Sequence, residues 1–496
     1  MQDWDSLILY PLLTIVVIVL YVLLLVKRHF KTKKQWFFII QHFFFWLTLS
    51  AILNLNYNFI LFTANINWKN LGILVGVSAS FYATIFFIPA SWITGLLTRR
   101  FWFWLSYFTI ILGIILALAI PHNQTIFIIC ALCFGIGIAS NSIWYLCFNE
   151  VYLYRTNSFL TVALLFPVVI IANFTGLNIL NFLKSVNKNY EVDYYILFGL
   201  ILGFILISFV CCFKLKERKE YIGAFNSQQL KLASKFSWWK VSGILVILFF
   251  VGVMREFAQG DFYNFLLAQQ TWEIYQNLTY INKYLHLTQE FWWIPQIIAG
   301  ILLYPVIVKK WGIRNTIFGA FTIWIIYFLV VAFTKIPELW ITCQLLSVLA
   351  FGIIFVILFS LSMVWNYRVS RRPVTGCFSA LNALTTFGAQ FVQRAISNAQ
   401  VGPFKNITLN WNLPVVTNDS YDLSHLHNLV MIIFAVCAGV CLLLMVFVFF
   451  TIKHISGEYF SRQNYNFARQ ILAANLTEQE YDQDVSLTEW LRKDAT

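Results

Sequence analysis

Residues 214–235 read KLKERKEYIGAFNSQQLKLASK, a polar segment with six Lys or Arg and two Glu between long apolar stretches. A helix needs about 20 mostly apolar residues to cross the hydrocarbon. By that ruler the chain holds thirteen candidate spans, seven before this segment and six after it, running from 6–26 and 36–62 to 241–266, 291–308, 375–397 and 428–452. The first, 6–26, has an acidic leading end (Met1 to Ser6) and is followed by Lys27, Arg28, Lys31, Lys33 and Lys34. That charge order marks an uncleaved anchor with its N-terminus outside. With the anchor set aside, the linker divides the remaining spans into six and six. The expected organisation is an N-terminal anchor and basic loop (1–35), a first six-helix bundle (36–213), a cytoplasmic linker (214–240), a second six-helix bundle (241–452) and a cytoplasmic tail (453–496).

Composition gives the same answer. Of 496 residues, 60% are hydrophobic and 11% are charged, too little charge to cover a water-soluble surface. The formal charge of +13 is a topology signal and does not call for nucleic acid. Of the 34 Lys and Arg, 26 fall in the loops that alternation places in the cytoplasm and six in the opposite loops, as the positive-inside rule requires. Arg255 and Arg394 remain, both inside predicted spans. The nine cysteines lie in or beside apolar stretches, which suits packing and implies neither a disulfide framework nor a zinc site.

Two halves of six joined by a basic linker are the organisation of a repeat-built secondary transporter. The chain resembles the major facilitator superfamily over residues 36–452. That family carries a Gly-x-x-x-Asp-Arg-x-Gly-Arg-Arg loop after its second helix and a relic of it after the eighth. Here the first copy, Gly95-Leu-Leu-Thr-Arg99-Arg100, keeps the leading Gly and one Arg and lacks the Asp and the second Gly, while the second keeps the basic Lys309, Lys310 and Arg314 and Gly312, again without an acid. The fourth family helix retains small residues, Gly135-Ile-Gly137-Ile-Ala139, that permit close helix packing. The resemblance implies an all-α polytopic membrane protein of about 13 spans, in which the helices at 36–62 and 241–266 line a central cavity.

Charged and polar groups inside the membrane are costly and are candidates for function. The sequence Met254-Arg255-Glu256-Phe-Ala-Gln259-Gly260-Asp261-Phe-Tyr263 places Arg255, Gln259 and Tyr263 on one helix face. Asn54 and Asn58 recur at the same spacing in the counterpart helix, and Asn382, Thr386 and Gln390 share a face near the end of the chain. These eight are the expected substrate-binding residues. Arg255 followed by Asp261-Phe262 also resembles the organophosphate/phosphate antiporter branch, which implies an anionic substrate such as a sugar phosphate held by a bidentate guanidinium. That branch has a second Arg in its first helix, where this chain has Gln41 and His42.

Glu256, Asp261 and His42 are the candidate coupling groups, a carboxylate that takes up and releases a proton to drive symport. A structural pair between Arg255 and Glu256 or Asp261 stands beside both readings. Glu150 and Arg155 are expected to pair at a cytoplasmic end.

The function expected is a plasma-membrane permease working by alternating access as a monomer, with a small solute and an H+ or exchanged anion as partners and with no cofactor or metal. Proton-coupled sugar, drug or lipid transport on the same fold is the alternative. A membrane-embedded transferase or a sensor is disfavoured, because the chain has no HExxH, no compact acid/His cluster and only a short tail. No phosphate-cradling loop points to ATP coupling.

Overall fold

A computed structural model describes residues 10–23, 33–63, 75–121, 123–151, 158–186, 190–215, 238–302, 307–366, 373–399 and 423–456. The linker 216–237, the loop 400–422 and the tail from 457 lie outside the described residues.

The described residues form helices and their connections. The first half comprises α1 (Tyr10–Tyr21), α2 (Lys33–Thr63), α3 (Ala79–Leu96), α4 (Arg99–Ala119), α5 (Gln124–Ile138), α6 (Asn141–Val151), α7 (Ser158–Val186) and α8 (Tyr190–Cys212). The second comprises α9 (Trp238–Gln259), α10 (Asp261–Tyr275), α11 (Leu278–Phe291), α12 (Trp293–Leu302), α13 (Lys309–Phe333), α14 (Pro337–Trp365), α15 (Thr375–Ala399) and α16 (Leu423–Ser456). Ten apolar helical stretches among the described residues are long enough to cross a membrane, with α5 and α6 together forming one of them.

Several starts are set by polar caps that take up otherwise orphaned amide groups. Ser78, Thr98, Asn123 and Asn277 each accept from the first turn of the helix that follows. At the basic end of α13, Gly312 has φ 73° and ψ 164°, a backbone conformation that costs a glycine little and an L side chain much more.

The spans expected at 241–266 and 291–308 leave 267–290 between them as an outer loop, and that expectation is corrected. Residues 261–275 and 278–291 are helical, so α9 is prolonged by α10 and α12 is preceded by α11, with Gln276 and Asn277 forming the turn. Gln276 adopts the left-handed conformation that ends α10, at φ 46°. The polar residues of this stretch face other helices as well as water, which is why hydropathy alone reads it as a loop. Gln269, Gln270, Thr271 and Thr288 are all buried.

Within the first half, α2 packs on α7 and α8, and α5 on α3 and α4. Gly135 and Gly137 make the last contacts possible. A Cβ at Gly135 would stand 2.4 Å from Cβ of Tyr82, and one at Gly137 would stand 2.5 Å from Cδ1 of Ile110. In the second half α13 packs on α14 and α16, and α9 on α14 and α15. The halves meet where α3 lies on α15 and where α7 lies on α12 and α14. Aromatic pairs span this seam, with ring centroids at 4.7 Å for Tyr145–Phe359, 5.5 Å for Phe166–Phe355 and 5.2 Å for Phe81–Phe387. The additional helix α1 rests on α7, where Asn178 Nδ2 donates to Thr14 Oγ1 at 2.7 Å and Tyr21 OH donates to the Leu164 carbonyl at 2.8 Å.

Candidate functional site

The centre of the second half is built on Arg255. Counting from Trp238 at about 1.5 Å per residue puts it some 25 Å along α9. Its Nε donates to Glu256 Oε1 at 3.0 Å, its Nη2 reaches the same oxygen, and Nη2 also donates to the Thr386 hydroxyl on α15. The guanidinium carbon lies 5.0 Å from the ring centroid of Phe351 on α14. One cation thus ties three helices together while a neighbouring carboxylate compensates its charge. Both side chains are largely withdrawn from solvent, at 15% and 8% exposure.

The groups around it are polar and incompletely satisfied. Thr386 Oγ1 donates to the Asn382 carbonyl at 3.1 Å, and Asn382 Oδ1 is buried without a hydrogen-bond partner. One turn along α9, Gln259 Oε1 accepts from Trp292 Nε1 at 3.2 Å, leaving Gln259 Nε2 buried and unpartnered. Tyr263 is fully buried, its hydroxyl has no partner and its ring lies 6.2 Å from that of Tyr327. Arg255, Glu256 and Thr386 are thus in direct contact, with Asn382 bonded to Thr386 and Gln259 one turn along α9; the single helical face expected for Arg255, Gln259 and Tyr263 is interrupted, because extended backbone at Gly260 (φ −86°, ψ −170°) separates α9 from α10, where Tyr263 lies. The side chains of Asn54, Asn58, Asp261, Gln390, Lys309 and Arg394 lie outside the described residues.

His42 sits elsewhere, in the first half. Its ring is surrounded by Phe38, Trp46, Trp144 and Tyr145 at centroid distances of 5.1 to 6.5 Å, and both ring nitrogens are buried without partners. It contacts no carboxylate among the described residues. Its neighbour Gln41 donates to Tyr107 OH at 2.8 Å, and Tyr107 in turn lies 2.7 Å from the Ser208 hydroxyl.

The basic loops differ from each other. Arg99 makes a two-point ion pair with Glu150, Nη2 to Oε1 at 3.1 Å and Nε to Oε2 at 3.3 Å, and Nη1 donates to Thr94 at 3.2 Å. The partner expected for Glu150 was Arg155, which lies outside the described residues. Gly95 is buried at the end of α3 beside this pair of helices. Arg100 stacks over Trp104 at 5.6 Å. In the second half Lys310 is exposed and Arg314 lies over Phe449 at 5.6 Å. At the position corresponding to Asn149, whose Nδ2 donates to Thr161, Asn366 caps α15 by accepting from the amides of Val374 and Thr375.

Residues of α11 and α12 were not anticipated. Trp292, between α11 and α12, reaches the Arg255 face through its hydrogen bond to Gln259, and in the sequence it stands only as the first residue of the apolar run WWIPQIIAGIL. At the α10–α11 turn, Tyr275 and Tyr284 both donate to Glu338 Oε1. That hydrogen bond to a carboxylate holds the Tyr275 phenol above its ordinary range.

Comparison with solved structures gives the same arrangement of helices over most of the chain. The human organic anion transporter MFSD10 (TETRAN) superposes with a TM-score of 0.56 at 12% identity, covering 84% of this chain and 100% of that one. The chain has the major facilitator fold. Two further major facilitator structures agree. A variant of the E. coli fucose:proton symporter FucP has a TM-score of 0.55 at 15% identity, over 84% of this chain and 97% of that chain. The nucleoside transporter NupG has a TM-score of 0.51 at 14% identity, over 85% and 100%. No family model and no curated protein sequence matches the chain.

Proposed function

We propose that this protein is a secondary transporter that moves a small organic anion across the plasma membrane by alternating access between its two halves. The observation that carries the proposal is the Arg255–Glu256–Thr386 cluster, an intramembrane cation bound both to a titratable carboxylate and to a second helix. A buried charge is retained at a cost of several kcal/mol unless it is paired, so an arriving anion can replace Glu256 on the guanidinium only if Glu256 is neutralised. Protonation of Glu256 supplies that neutralisation. Substrate anion and proton are thereby bound together and released together, and this is symport. The major facilitator fold supplies the two halves whose rocking would expose Arg255 alternately to either side. The basic loops and the tail face the cytoplasm, the N-terminus lies outside, and the working unit is a monomer.

The test is uptake into liposomes containing the purified protein, with an imposed pH gradient, across a panel of organic anions and neutral solutes. Uptake of an anion that follows the gradient, and falls in Arg255→Ala and Arg255→Lys, supports the reading. If no solute moves and cysteine labelling detects no alternating accessibility, the reading fails.

A further inference from the structure

The additional helix α1 meets the rest of the molecule along one narrow stripe. Thr14, Val17 and Tyr21 are buried, while Leu12, Ile15, Val16, Val19 and Leu20 are 45–58% exposed. Spacings of three and four residues put the buried three on one face. Both polar members of the stripe bond to α7: Thr14 Oγ1 accepts from Asn178 Nδ2 at 2.7 Å, and Tyr21 OH donates to the Leu164 carbonyl at 2.8 Å. An apolar anchor would need neither hydroxyl. The two points of attachment lie on either side of Pro167, which stands inside α7. A proline within a helix has no N–H for the carbonyl four residues before it, here that of Ala163, and its ring crowds that carbonyl. The helix bends most readily there.

The same turn of α7 also touches the second half. A Cβ on Gly300 of α12 would stand 2.6 Å from Pro167 Cγ and 3.5 Å from Phe166 Cδ1, and the Phe166 ring lies 5.5 Å from that of Phe355 on α14. Contact this close suits one bend angle of α7, because a change at Pro167 drives its ring into α12 or draws it away. We propose that α1 is a splint across the Pro167 hinge: by tying Leu164 and Asn178 to one apolar helix it keeps α7 in the bend that fits α12 and α14, and so holds this seam between the halves closed. The splint biases the equilibrium because a new bend changes the distance between its two attachment points, which α1 cannot follow without losing a hydrogen bond. The rocking that it restrains belongs to the transport reading, but the splint itself is tested by seam opening alone.

Seam opening is read in the full chain with Cys377 as its sole cysteine, as the rate of maleimide labelling of the purified protein. Cys377 is half-buried next to Gly376, which packs against Ser91 of α3. Tyr21→Phe and Asn178→Ala each remove one interhelical hydrogen bond and should quicken labelling by roughly three- to tenfold, with the melting temperature nearly unchanged. Ile15→Ala, on an exposed face of the same helix, should leave the rate as it is. Pro167→Ala restores the missing amide and stiffens α7 without help from α1, so adding Tyr21→Phe to it should change the rate little. If Asn178→Ala fails to fold, Tyr21→Phe decides the matter, since it removes a single hydroxyl. The proposal is overturned if Tyr21→Phe leaves the rate unchanged or lowers the melting temperature steeply, if Ile15→Ala quickens labelling as much, or if Tyr21→Phe acts equally with and without Pro167→Ala. The expected labelling pattern in a protein that moves no solute would sink the transporter reading and leave the splint standing. Transport with labelling indifferent to Tyr21→Phe would do the reverse.

Discussion

Arg99 on α4 and Glu150 on α6 are 51 residues apart in sequence and share two hydrogen bonds, at 3.1 and 3.3 Å, in a setting where each side chain is under 10% exposed. The acid that is missing from the loop after α3 is thus supplied by another helix, and the pair locks the basic ends of α3, α4 and α6 together. Removing one partner of a buried pair strands the other charge at a cost of about 3–5 kcal/mol. Glu150→Ala and Arg99→Ala should each lower the melting temperature in detergent markedly. The double variant Arg99→Leu/Glu150→Leu should recover part of the loss, since neither member of the pair is then left without the other. Equal destabilisation in the double and single variants would contradict this account.

Glu256→Gln keeps the shape of the Arg255 partner and removes its titration. Uptake driven by a pH gradient should be abolished in this variant, while exchange of labelled for unlabelled substrate persists at pH values where the wild type is active. Arg255→Lys keeps the charge but loses the fork that reaches Glu256 and Thr386 together, and should raise the half-saturating substrate concentration by about tenfold. Loss of both exchange and gradient-driven uptake in Glu256→Gln, in a variant that still binds substrate, would show that the carboxylate does more than carry a proton.

At the α10–α11 turn the Tyr275 phenol is held above its ordinary value, about 10, by its hydrogen bond to the Glu338 carboxylate. The folded protein therefore keeps this proton where the unfolded chain has released it. The contribution is fully present below the unfolded value and is lost as pH rises through the folded one. Spectrophotometric titration should show a late-ionising tyrosine that returns to the ordinary range in Glu338→Gln.

How much of this was legible in the sequence depended on whether the signal was local. Ten of the thirteen expected spans came through as long apolar helices among the described residues, because about 20 consecutive apolar residues are needed whatever their neighbours do. Arg255, Glu256, Gln259 and Thr386 came through because charge and polarity in an apolar helix are costly wherever they occur. Glu150 was visible but its pairing with Arg99 was not, since that pairing is set by how α4 and α6 pack. Residues 267–290 were read as a loop because Gln269, Gln270 and Thr271 lower the hydropathy, yet all three are buried against neighbouring helices. Trp292 was missed because an indole at the edge of an apolar run looks like interface until its hydrogen bond to Gln259 is seen. His42 was legible as an unusual residue and not as an isolated one. Its four aromatic neighbours come from α2 itself and from α6.

Among the described glycines, Gly376, near the start of α15, leaves the least room for a side chain across the seam. A Cβ there would stand 2.0 Å from Ser91 Oγ and 2.9 Å from the Phe87 carbonyl oxygen, so the obstacle includes backbone and cannot simply rotate away. Gly300 on α12 makes a similar approach, 2.6 Å from Cγ of Pro167 on α7. Each halves-facing glycine therefore holds a contact that any side chain would force apart. If the two halves rock as proposed, this arrangement is one end of the cycle, and Gly376→Ala should depopulate it without unfolding either half. Native Cys377 is half-buried beside this contact and serves as the reporter. In a variant that keeps Cys377 as its sole cysteine, maleimide labelling should quicken when Gly376→Ala is added, while the melting temperature changes little. Faster labelling with a collapsed melting temperature would instead mean that the seam is part of one rigid core, and the two halves would not move as separate bodies.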